Sequence, residues 1–159
     1  MSGTVLREMR ESDLPALFEI QCDADGQVMA AFTSTANDRE AYLAKHRRLL
    51  ADDRLVRVVV ELDGEVVGSA AAFPLGEAGD ETHVTYWIRR DCWGRGLAAA
   101  ALAAVLEQVP TRPVFASAAH DNAGSIRVLE KNGFRRVGKE RGFAEARGEE
   151  IEEAMFRLD

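Results

Sequence analysis

The stretch His83–Ala104, HVTYWIRRDCWGRGLAAAALAA, reads as a β-strand that runs through a glycine-rich turn into an alanine-rich helix. The turn is Trp93-Gly94-Arg95-Gly96-Leu97-Ala98. The first four N–H groups of any helix lack intrahelical acceptors and carry the positive end of its dipole. Glycines just ahead of that end remove side chains, so an anion can come up against the amides. The segment is a phosphate cradle, and its neighbours decide which phosphate compound it suits.

A Walker-type nucleotide loop requires lysine and a hydroxyl residue after its last glycine. Here Leu97, Ala98 and Ala99 follow Gly96. A dinucleotide fingerprint is formally matched by Gly94-Arg95-Gly96-Leu97-Ala98-Ala99. It calls for an acid about 20 residues on, where the chain has Phe115-Ala116-Ser117 instead. The remaining sequence is also too short for two mononucleotide-binding halves.

A second motif turns the reading. His120-Asp121-Asn122-Ala123-Gly124-Ser125-Ile126-Arg127-Val128-Leu129-Glu130-Lys131-Asn132-Gly133-Phe134 is a capped amphipathic helix. Asn122 is a good N-cap, Ile126 and Leu129 share a face, and Gly133 suits the left-handed residue after the end. Together the two motifs resemble the GNAT superfamily of N-acetyltransferases. The first is similar to its Q/R-x-x-G-x-G/A loop, with Gly96 and Ala98 on the small positions and Trp93 where Gln or Arg is commoner. The second is similar to N-x-x-S-x-x-V/L-L-x-K-x-G-F. Tyr86-Trp87-Ile88 and the Trp-Gly-Arg-Gly core look most like the RimJ/RimL branch.

The resemblance implies acetyl-CoA as cosubstrate and no metal. Trp93, Gly94, Arg95, Gly96, Leu97 and Ala98 would then cradle the pyrophosphate. By the same resemblance Asn122 holds the pantetheine arm, and Ser125, or a tyrosine nearby, faces the sulfur. The acceptor is a small-molecule amine or a protein N-terminus, and a homodimer stays open. The competing function is a non-catalytic acyl-CoA-binding sensor of the same fold.

Composition agrees with one soluble enzyme domain over 1–159. A chain of 159 residues can bury on the order of 70% of its unfolded surface. Its 47% apolar and 30% charged residues are ordinary for a globular protein. No apolar run is long enough to span a bilayer, and Met1-Ser2-Gly3-Thr4 does not read as a signal peptide. Cys22 and Cys92 are isolated, which suits a reducing cytoplasm, and the three histidines show no metal-ligand spacing. From Arg89 to Lys139 nine basic residues face four acidic ones, although the whole chain carries −7. Such a half attracts an anionic ligand, whereas the acidic total disfavours nucleic acid.

The rest of the chain predicts alternating elements. Val5–Met9 reads as a strand, and Asp13 caps a helix with Pro15 in its first turn. Gly26 to Thr35 carries few signals and is expected to be a loop beside the acceptor. Asp38 opens a helix to Leu50, with His46 on its apolar stripe. Val56–Leu62 and Glu65–Phe73 flank Asp63-Gly64, a signal for a type I′ hairpin. Thr82–Ile88, Val114–Ala118, Phe134–Lys139 and Ile151–Leu158 complete seven strands. The strand–helix–strand passage through Leu97–Gln108 implies a right-handed parallel pair. The expected fold is α/β, a mostly antiparallel seven-stranded sheet of the GNAT type with about four helices and a splayed parallel pair at the cofactor.

Chemistry then follows from a thioester and an amine. A protonated amine cannot attack until it loses a proton, and the departing thiolate is helped by a proton donor. Holding both reactants together supplies much of the rest, so direct transfer in a ternary complex suffices. Ser125 is the expected acid. His83 is the expected base, since imidazole titrates near neutrality. Glu81, or an acid between Glu149 and Glu153, could relay the proton through water instead.

Overall fold

The valine run from Val56, buried on both faces at Val58, Val59 and Val60, builds the middle of a seven-stranded sheet. In the computed structural model, which describes residues 3–33 and 38–159, the strands are β1 (Thr4–Glu8), β2 (Val56–Leu62), β3 (Glu65–Leu75), β4 (Glu81–Ile88), β5 (Val114–Ala119), β6 (Arg135–Ala144) and β7 (Glu149–Leu158). Their order across the sheet is β1-β2-β3-β4-β5-β7-β6. Every neighbouring pair is antiparallel except β4–β5. Asp63 and Gly64 both have positive φ, 53° and 83°, as a type I′ turn demands.

Among the described residues five α-helices cover the sheet: α1 (Leu14–Gln21), α2 (Ala24–Ala30), α3 (Arg39–Leu50), α4 (Leu97–Glu107) and α5 (Ala123–Lys131). One more helix is present than expected, because α2 occupies part of the segment read as a loop. Ser34 and Thr35, the end of that segment, lie outside the described residues. Asp13 takes the expected place ahead of α1, but its carboxylate does not cap it. It accepts instead from the Arg10 amide at 2.7 Å and from both terminal nitrogens of Arg7.

Two larger cores form among the described residues, one on each face, with a smaller cluster of Ala31, Ala119, Ala144 and Ile151 beside them. Under α4, the side chains of Leu97, Leu102, Val105 and Leu106 pack with Val58, Val60, Val84, Val114 and Phe156. Fully burying each such aliphatic chain contributes roughly 1.5–3 kcal/mol. The small Ala101 lets α4 sit close to the sheet, with no exposed surface of its own. On the other face Leu14, Leu17, Ile20 and Leu43 pack on Val59, with Trp87 at the margin. Among the described residues no helix is long and apolar enough to cross a membrane.

His46 sits on the helix face its spacing indicates. It lies against Tyr42, with ring centroids 4.1 Å apart, and its Nδ1 accepts from Arg57 Nη2 at 2.8 Å. Burial, joined by the Arg57 charge, lowers this imidazole from 6.5 to about 4. The unfolded chain takes up that proton near 6.5, so the contribution is intact above that pH and fades as pH falls towards 4. Allowing for its half-exposed ring, we expect the urea-unfolding free energy to drop by on the order of 1 kcal/mol between about pH 7 and pH 4.5. His46→Gln, which keeps an acceptor for Arg57, should remove most of that drop. The lowered carboxyls of Asp13 and Asp121 act in a lower window, below their ordinary value of 3.8. An unchanged pH slope in His46→Gln would exclude the histidine.

Candidate active site

The loop between β4 and α4 leaves its amides unspent. Gly94 and Gly96 have φ of 79° and 77°, left-handed values that glycine adopts without steric cost. Among the described residues, none of the amides from Gly94 to Ala99 makes a well-formed hydrogen bond to an acceptor of the chain. The first bond of the helix runs from the Ala100 amide to the Gly96 carbonyl, 3.1 Å. A Cβ built on Gly94 or Gly96 would meet no protein atom within 4 Å. Six consecutive free amides beside open space are what a pyrophosphate requires, so the residues present fit the cofactor.

The side chains of the loop divide the work. Leu97 is buried in the core and offers the cradle only its amide, whereas Gly94, Arg95 and Gly96 are exposed. Trp93 anchors the turn by donating its indole N–H to the Ile88 carbonyl at 2.7 Å. Four of the nine basic residues are spent on acids: Arg89 on Glu65 and Asp91, Arg90 on Asp25, Arg135 on Asp159 and Lys139 on Glu152. Arg95 has no carboxylate partner among the described residues.

Beside this loop the sheet opens. β4 and β5 pair only at Thr82–Val114 and His83–Phe115. Beyond those positions the facing edges of the two strands carry no ladder, although β4 stays bonded to β3 and β5 to β7. The parallel pair is therefore splayed, as expected.

Ser125 lies in the first turn of α5, and its Oγ is 2.6 Å from the hydroxyl of Tyr86 on β4. Tyr86 also donates to the Ser125 carbonyl at 3.0 Å. Burial pushes the phenol up to about 12, partly offset by the Ser125 hydrogen bond, so it stays protonated at neutral pH. Tyr86 was not singled out from the sequence. Strand alternation set it beside Val84 and Ile88, and a tyrosine on a covered face needs a polar partner for its hydroxyl. That was the available signal.

Asn122 caps α5 through Oδ1, which accepts from the Ser125 amide at 3.2 Å. Its Nδ2 donates to the Met29 carbonyl at the end of α2, also at 3.2 Å. One amide proton is left for a ligand. His83 lies on the opposite face of β4 from Tyr86, at the last paired position before the splay. Its ring stacks on Phe115 at 5.4 Å and neighbours Phe73, and its Nε2 is 3.2 Å from Glu81 Oε1. Ser125 and His83 thus stand on different faces of the sheet, with the splay between them.

On the His83 face, the middles of β4 and β5 are uncovered. Thr85 and Ser117 are exposed although both belong to central strands. Helix α2 walls this groove, with Gly26 against the Trp87 indole. The helix is tied down by Arg90–Asp25, by Asn122 and by Arg147, which donates to the Val28 carbonyl at 2.8 Å.

A model of the acetyltransferase (GNAT) domain matches residues 4–135. The chain belongs to the GNAT acetyltransferases. Solved GNAT structures share its fold along nearly the whole length. The ribosomal-protein-alanine N-acetyltransferase of Brucella melitensis is 24% identical, with a TM-score of 0.82 over 97% of this chain and 98% of that one. A phosphinothricin acetyltransferase from Sinorhizobium meliloti, solved with acetyl-CoA, is 19% identical, with a TM-score of 0.84 over 98% and 88%. RimJ of Mycobacterium smegmatis, solved with CoA-disulfide, is 25% identical, with a TM-score of 0.77 over 98% and 81%. No curated protein sequence matches. Among the described residues of this GNAT chain, no group of three or more His, Cys, Asp or Glu is placed to hold a metal ion.

Proposed function

We propose that this acetyltransferase moves the acetyl group of acetyl-CoA onto a primary amine by direct transfer in a ternary complex. The observation that carries the reading is the run of free amides from Gly94 to Ala99 next to the splay. It fits a CoA pyrophosphate, with the pantetheine arm led between β4 and β5 past Asn122. Acetyl-CoA in the Sinorhizobium meliloti relative supports that choice of cosubstrate. Similarity to RimJ, with the Tyr86-Trp87-Ile88 and Trp-Gly-Arg-Gly pattern, supports the RimJ/RimL branch. The acceptor is a small amine or a protein N-terminus, and residues 1–159 act as one domain. Isolated thiols at Cys22 and Cys92 favour the reducing cytoplasm.

The steps divide between the two faces. In the groove, the acceptor ammonium gives one proton to His83, through water across the Thr85 floor. The freed nitrogen forms its bond to the acetyl carbon as the carbon–sulfur bond breaks. The thiolate receives a proton from the Ser125–Tyr86 pair, while the second proton on the new amide nitrogen leaves through water, and solvent restores the proton of the pair. The buried phenol, raised to about 12, keeps its proton in the working range, so a proton is in place when the thiolate forms. Acetyl-CoA turnover against a panel of primary amines tests the reading. Acetylation that depends on the amine's identity supports it, whereas tight acetyl-CoA binding with no transfer to any amine would turn it into an acyl-CoA sensor.

Asn122 offers a narrower check. Asn122→Asp retains an oxygen for the Ser125 amide but replaces the donor facing Met29 with charge. The Michaelis constant for acetyl-CoA should rise about tenfold, the worth of one good hydrogen bond, while the melting temperature falls only by what the lost bond to Met29 costs. A rise in the constant that merely tracks lost stability leaves Asn122 as a cap alone.

A further inference from the structure

Glu153 stands apart from the other acids of the last hairpin. Glu149 and Glu150 are exposed, and Glu152 pairs with Lys139 at 3.1 Å. Glu153 is half-buried, and among the described residues no lysine or arginine pairs with it. Strand alternation sets it with Ile151, Met155 and Arg157 on the groove face, where Ile151 packs against Ala119. The β5–β7 register sets it opposite Ala119 and diagonal to Ser117 on the same face, so that the Ser117 hydroxyl favours its charged form. Directly opposite on β6 is Glu140, a like charge where a cross-strand pair normally sets opposite ones. Burial, with that neighbouring charge, raises the Glu153 carboxyl above its ordinary range. The chain has thus put an unneutralised negative group on the wall of an open groove, one strand away from the splay.

We infer that Glu153, seated on Ser117, is the docking carboxylate for the acceptor's ammonium group and makes the enzyme prefer cationic amines. The inference rests on the acetyl-transfer reading and assigns the acceptor end of that site. A half-buried ion gains most from a partner that arrives with its own charge and several N–H donors, and an alkylammonium supplies both. A neutral acceptor would leave the two facing glutamates uncompensated. Removing the proton for attack stays with His83, so Glu153 governs binding rather than the chemical step.

The test pairs primary amines with alcohols of the same carbon skeleton, phenethylamine with 2-phenylethanol among them, on the CoA-loaded protein. Calorimetry should show each well-fitting amine bound at least tenfold more tightly than its alcohol. Glu153→Gln should erase that advantage while leaving the CoA dissociation constant within about twofold. In turnover, Glu153→Gln should raise the acceptor's Michaelis constant at least tenfold with kcat largely kept. Glu153→Asp should retain part of the preference, and serves as the folded comparison if the glutamine variant does not fold. Wild-type protein in which no amine outbinds its alcohol overturns the inference, as does an undiminished preference in Glu153→Gln. A collapse of kcat at constant Michaelis constant also overturns it, since that marks a base. The binding arm needs no turnover, so absence of acetyl transfer would sink the functional reading and leave this result to be judged separately.

Discussion

Gly96→Val should weaken acetyl-CoA binding at least a hundredfold and lower the melting temperature only modestly. The two effects separate because of where the side chain would go. At φ 77° any L-residue pays a backbone penalty of roughly 1–2 kcal/mol. No protein atom lies within 4 Å of the new Cβ, so no clash with the fold adds to it. The branched methyls would instead fill the space in front of the free amides. A hundredfold loss corresponds to about 2.7 kcal/mol, modest for blocking a pyrophosphate seat. Gly96→Ala shares the backbone penalty with less bulk, so its affinity should fall between the two. Calorimetric titration alongside thermal melts measures both quantities. A folded Gly96→Val protein with unchanged acetyl-CoA affinity would remove the cradle from this loop.

Ser125→Ala should cut kcat by about a hundredfold, within the usual range for losing a proton donor, with acetyl-CoA affinity kept. Stability should hold, because Tyr86 retains the Ser125 carbonyl as acceptor at 3.0 Å. Tyr86→Phe should reproduce the defect, and the double variant should be little worse than either, as for groups that act as one unit. pH separates this pair from the base. His83→Ala should shift the acidic limb of the pH–rate profile, and alkali that deprotonates the acceptor should restore much of its rate. Alkali cannot restore a missing donor, so Ser125→Ala should stay slow. Wild-type rates and pH dependence in both variants would empty the two roles while leaving acetyl transfer itself standing.

Local rules carried the sequence reading where the structure is locally determined. The Asp63-Gly64 turn, the caps at Asp38 and Asn122, and the phosphate loop all depend on residues within a few positions of one another. Helix α2 does not. AlaAspGlyGlnValMetAla from Ala24 to Ala30 has no apolar period and includes a glycine, and so short a helix is marginal by itself. Its support is remote: Arg90, Asn122 and Arg147 reach it from up to 119 positions away. Strand β6 runs on to Ala144, beyond the expected end at Lys139, because β7 pairs with it although its residues are nearly all exposed. The site shows the same division. The motif proposes Ser125, but the Tyr86 contact joins residues 39 apart. Glu153 could not be told from its acidic neighbours until Ser117 and Glu140 were seen beside it.

The chain's two tryptophans flank the site from opposite sides. Trp87 lies against Gly26 of α2 on the groove face, whereas Trp93 is 44% exposed in the loop that leads into α4. Indole emission responds to its immediate surroundings, so the protein carries an optical reporter for each half of its site. With Trp93 replaced by Phe, the remaining signal watches the groove beside α2, the acceptor side in the proposed function; with Trp87 replaced, it watches the glycine loop ahead of α4, the proposed cofactor side. The order in which two reactants arrive can thus be followed in stopped flow without attaching a dye.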